Sequence, residues 1–122
     1  MSQSLDPIQI ARMPFTARNQ AVMQLLQTLI HMKPEDAKAV LQQLLQIMTT
    51  KATDEEYMNL CESIIRALSQ FDVDTIKAVV SLRMQAVSSL SKQQQERDSK
   101  ILNAVIQSLD QPIREKLMSA MK

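Results

Sequence analysis

The chain has no glycine in 122 residues, where average usage would supply roughly eight or nine. Glycine is the residue that enters left-handed backbone without steric cost. Without it no phosphate-binding loop, dinucleotide-binding turn, nucleophile elbow or EF-hand loop can be written. Two-residue β-hairpins also lose their favoured turn residue. Helices remain, and their ends must use Asn, Ser, Lys or Asp in the turns, or close without a left-handed cap.

Helical periodicity runs through the sequence, and 45% of the residues are hydrophobic, enough to bury a core in one small domain. The expected fold is all-α, a five- or six-helix bundle or a short helical-hairpin array. Residues 1–15 read as an N-terminal arm and 16–122 as a single helical domain. In the arm, Asp6-Pro7 can start a short helical turn, and Met13-Pro14 ends it because a residue before proline avoids the helical region.

The first long helix is expected from Ala17 to Met32 after Thr16, with Val22, Leu25, Leu26 and Leu29 in one stripe. The second starts at Pro34, with Glu35 and Asp36 complementing the helix dipole, and ends near Thr49-Thr50. Thr53 and Glu56 form a capping box for the third, whose stripe includes Tyr57, Leu60, Cys61, Ile64 and Leu68. The fourth starts at Asp72 or Asp74. Ala78, Leu82 and Ala86 give it a second apolar face, which places it in the middle of the bundle. Ser91 with Gln94 offers another capping box. Yet no proline or glycine interrupts residues 73–109, and the apolar phase carries from Leu90 to Ile101. One helix about 55 Å long is the favoured reading there. A last helix begins near Asp110-Gln111-Pro112 and carries Leu117, Ala120 and Met121. Residues 34–40 resemble 73–79 at an offset of 39, and Pro112 falls on Pro34 after another 39, a period typical of helical-hairpin arrays.

Net charge is +1, so bulk electrostatics select no acidic or basic partner. The charges are uneven: residues 35–74 hold three basic against eight acidic groups, and residues 75–122 hold eight against four. The carboxylates cluster at helix starts, where capping explains them.

Catalytic residue types are scarce. His31 lies on a polar helix face with no second His, so neither a metal ligand set nor a general base is expected. Cys61 sits mid-stripe, as a small buried hydrophobe does. Arg83 lies beside the main stripe of its helix, there to lay its stem over apolar surface or to pair with an acid of the middle segment. Neither cofactor nor metal is expected. The unpaired Cys61 suits a reducing compartment, no apolar stretch reaches about 18 residues, and the expected location is cytoplasmic.

Function follows by elimination. The leading expectation is a non-catalytic protein–protein interaction or assembly module, a homodimer, with Leu82, Ala86, Ile101, Val105 and Leu109 at the interface. The alternative is nucleic-acid binding through Lys92, Arg97 and Lys100 in the basic C-terminal half. A third reading is a carrier of a small apolar ligand in a Met-lined cavity.

Overall fold

The computed structural model describes residues 6–121, the side chain of Met121 excepted. Among these residues there are seven α-helices and no strand: α1 (Pro7–Ala11), α2 (Phe15–Ile30), α3 (Pro34–Lys51), α4 (Asp54–Leu68), α5 (Val73–Val87), α6 (Lys92–Ser108) and α7 (Gln111–Met121).

Helix starts follow local chemistry. Thr53 caps α4 and Ser91 caps α6 through complete capping boxes with Glu56 and Gln94. Asp72 accepts from the Thr75 amide to start α5, and Asp6 accepts from the Ile8 amide to start α1. Thr16 does not cap α2. Pro14 occupies that place without a side-chain cap, and α2 opens at Phe15.

Helix ends show how a chain without glycine turns. No described residue has positive φ. Arg12, His31, Ser69 and Ser88 stay in the right-handed helical region, and Ala52 and Leu109 swing to extended backbone. Tightened last turns satisfy the carbonyls instead. The His31 amide donates to the Thr28 carbonyl at 3.2 Å, Gln70 to Ala67 at 3.1 Å, and Ser89 to Ala86 at 3.2 Å. These are i→i−3 bonds, the local remedy for orphaned carbonyls.

The expected 73–109 helix is two helices, α5 and α6, separated by residues 88–91. The apolar phase continues across the break, but phase alone does not hold a helix together. Ser88 and Ser89 turn their hydroxyls back to the Gln85 and Ala86 carbonyls, and the Ser91–Gln94 box opens α6. Serines that satisfy backbone groups compete with helix continuation.

The seven helices pack against one another as a helical bundle or array, each from α2 on mainly beside the next helix but one. α2, α4 and α6 lie side by side in one layer, and α3, α5 and α7 in the other. Starts in the first layer fall at Phe15, Asp54 and Lys92, and in the second at Pro34, Val73 and Gln111. Starts in each series therefore recur 39 and then 38 residues apart, and the first step is the 39-residue offset visible in sequence. α1 packs on α4, α3 and α2 and buries Ile10 and Ala11, so the described part of the N-terminal arm shares the core.

The most enclosed helix is α4, not α5. It packs against α1, α2, α6 and α7 and buries Tyr57, Leu60, Cys61, Ser63, Ile65, Ala67 and Leu68. Ser63 and Ala67 present little side chain, so α2 comes close, and the buried Arg18 Nε donates to Ser63 Oγ at 2.7 Å. Only part of the second apolar face of α5 is used: Ala86 is buried against Leu45 and Leu90, Leu82 is half-buried and Ala78 is exposed.

Candidate functional site

A polar cluster is buried where α4, α5 and α6 approach one another. Asp98 of α6 is its centre, at 3% exposure. The Tyr57 hydroxyl donates to Asp98 Oδ1 at 2.5 Å. Arg83 donates from Nη2 to Oδ1 at 2.6 Å and from Nη1 to Oδ2 at 3.0 Å. This is the fork geometry of a bidentate arginine–carboxylate pair. It answers the question left by Arg83 in the sequence, except that its partner comes from α6 and not from the acidic middle segment.

The electrostatics follow from the burial. Burial opposes the Arg83 charge, but the hydrogen bonds and charge of Asp98 more than offset it, and the guanidinium stays ionised. Burial, then the bond given to Asp98, raises the Tyr57 phenol well above its usual range. Cys61 stands in the same neighbourhood. Burial pushes its thiol up to about 12, with Arg83 pulling down and Asp98 pushing up. None of these groups is poised as a nucleophile, which needs a lowered pKa or an adjacent base.

Beside the cluster lies a cavity of about 120 Å³. It sits between the two helix layers, and its wall is almost wholly aliphatic, with Leu26, Leu44, Leu60, Ile64, Val80 and Leu102 contributing. Arg83, Tyr57 and Cys61 supply the polar part of the wall, and Met84, 64% exposed, lies at its rim. The lining is leucine-rich with Met48 and Met84 added, so the expected Met-lined cavity is better described as a leucine-lined one.

The residues singled out in sequence scatter. Ala86, Ile101, Val105 and Leu109 are buried within the chain's own core, leaving Leu82 half-exposed. Lys92 and Lys100 are exposed, but Arg97 is turned inward. It donates to the carbonyls of Met48 (3.1 Å), Thr49 (3.0 Å) and Ala52 (2.6 Å) and to Asp54 (3.0 Å), and it lies over the Tyr57 ring. It closes the C-terminus of α3, where a cation is favoured, and is not free to contact phosphates. His31 is exposed, with Nδ1 2.7 Å from the Gln27 carbonyl. Among the described residues no three His, Cys, Asp or Glu side chains cluster as a metal site, and no helix is long and apolar enough to cross a membrane.

Sequence patterning does not single out Asp98, because residues 91–100 are polar throughout. The available signal was phase. Asp98 stands three and seven positions before Ile101 and Val105, on the stripe that α6 buries.

No protein-family model, curated protein or solved structure matches the chain.

Proposed function

We propose that this chain is a non-catalytic helical binding module that carries a small apolar ligand between its two helix layers. The supporting observation is the leucine-lined cavity of about 120 Å³. An engineered apolar cavity of about 150 Å³ in another protein stays dry and takes up benzene or xenon. The neutral thiol of Cys61 and the engaged hydroxyl of Tyr57 give the site no reacting group, which fits carriage better than turnover.

The test is a methyl-resolved NMR titration with benzene. Saturable shifts are expected at Leu26, Leu44, Leu60 and Leu102, and Leu44→Phe should abolish them by filling the space. Shifts confined to surface methyls, or none up to the solubility of benzene, would reject the reading.

The array itself supports a second reading, the protein-interaction or assembly module. Stacked helical hairpins present extended surfaces to partner chains. Self-association through Leu82 is its simplest form. Light scattering over a hundred-fold concentration range, with Leu82→Glu as the control, separates a dimer from a single chain.

A further inference from the structure

We propose, resting on the carrier reading, that the ligand is a compact, uncharged, mainly aliphatic molecule with one hydrogen-bond acceptor, such as a carbonyl, received by Arg83. Size and lining set the body of the ligand. About 120 Å³ of space holds about six heavy atoms, by comparison with a cavity slightly larger that takes benzene. The aliphatic walls favour carbon.

Arg83 sets the head. A guanidinium has five N–H donors, and the bidentate bond to Asp98 occupies two, one each on Nη1 and Nη2. Nε is not used in the bond to Asp98, and the Cys61 sulfur, which meets the guanidinium, is a weak acceptor. The Arg83 side chain is 25% exposed and lines the cavity. Tyr57 has already given its hydroxyl hydrogen to Asp98, so Arg83 is the remaining charged donor on the wall.

Charge balance then selects a neutral head over an anion. Asp98 already neutralises Arg83 across that bidentate pair. A carboxylate ligand would place a second negative charge near Asp98 with no cation to match it, in surroundings where an unpaired charge is costly. Water is a poor occupant for a related reason. A buried water needs two to four polar partners, and beyond Arg83 the wall offers only the weak thiol of Cys61 and the hydroxyl of Tyr57, whose hydrogen is given to Asp98. A molecule that brings one acceptor and otherwise carbon meets both conditions.

The experiment compares cyclopentane, cyclopentanone and isobutyrate, an anion of six heavy atoms, in NMR titrations of the full chain, repeated with Arg83→Lys. Lysine keeps the positive charge for Asp98 but removes the planar fork and its Nε donor. Cyclopentanone is expected to bind at least as tightly as cyclopentane despite its stronger hydration, and isobutyrate weakest. In Arg83→Lys the ketone should lose about tenfold in affinity, the usual worth of a hydrogen bond to a charged group, while cyclopentane should be unchanged. Should Arg83→Lys not fold, the order of the three ligands on the unaltered chain decides alone. Cyclopentane tighter than the ketone, or the carboxylate tightest, overturns the assignment of the head and leaves the carrier reading standing. Failure of all three to shift the cavity methyls overturns both.

Discussion

Asp98 accepts three hydrogen bonds from two side chains while 3% exposed, so its removal strands both partners. Asp98→Leu leaves the Arg83 charge unpaired and the Tyr57 hydroxyl without an acceptor. Breaking a buried pair from one side costs about 3–5 kcal/mol, and urea unfolding should show a loss of that size. The double variant Asp98→Leu with Arg83→Met should recover most of it, because an apolar replacement of the whole pair is often neutral. A double variant as unstable as the single would mean that the packing of Asp98, not its charge, is what α6 requires. Cys61 gives a second prediction. Its folded pKa, about 12, lies above its ordinary value of 9.0. The folded chain therefore holds the thiol proton more tightly than the unfolded chain does. That contribution to stability is complete below pH 9 and is lost as pH rises from 9 toward 12. Tyr57 is raised as well and adds a loss of the same sign from its ordinary value of 10.0 upward. Stability measured at pH 8, 9 and 10 should fall at the upper end, and Cys61→Ala should flatten the 9–10 interval. At pH 8 the folded thiol should resist a disulfide reagent that reacts at once with the unfolded chain.

At the scale of the helices, what was legible in the sequence was whatever is decided within one turn. The Thr53–Glu56 box, the Pro34 start and the end of the first helical turn before Pro14 involve residues at most four apart, and each appears where sequence chemistry puts it. The break at 88–91 was legible too, in the Ser91–Gln94 box, but it competed with a continuous apolar phase, and the cap prevailed. The site was less legible. Arg83 stands out in the sequence for its place beside the stripe. Asp98, fifteen positions later and within a polar run, becomes its partner only because α5 and α6 form separate helices that bring the two together. Arg97 shows the same limit from the other side. In sequence it belongs to a basic patch; in the fold it reaches back more than forty positions to the end of α3. Arg97→Met should cost about 2 kcal/mol in urea unfolding, since it leaves buried carbonyls without their charged donor. Lys100→Met, at an exposed position, should stay within about 0.5 kcal/mol. Equal effects at both positions would reject the cap role of Arg97.

For the whole molecule, helix starts recur 39 and then 38 residues apart, and each helix from α2 on leans mainly on the next but one. Stability in such arrays is close to a sum of each unit's own stability and its contacts with its neighbours. Units at the ends have one neighbour and should open first. The N-terminal end is reinforced, because α1 folds back over α2, α3 and α4 and buries Ile10 and Ala11. Nothing comparable closes the other end among the described residues. There α7 leans chiefly on α5, with Lys116 Nζ donating to the Ser69 carbonyl at 2.6 Å as a tie to the loop after α4. Opening of α7 would also expose part of the cavity wall, since Leu117 contributes to it. Such an opening would admit a ligand while leaving the Arg83–Asp98 pair intact. Native-state hydrogen exchange should rank the helices accordingly, with amides of α4 around Leu60–Ile64 exchanging only through global unfolding and those of α7 through a smaller local opening. A ligand that seats against Leu117 should slow exchange in α7 more than in α2. Equal protection of α7 and α4 in the empty protein would remove this route and leave the rim at Met84 as the way in.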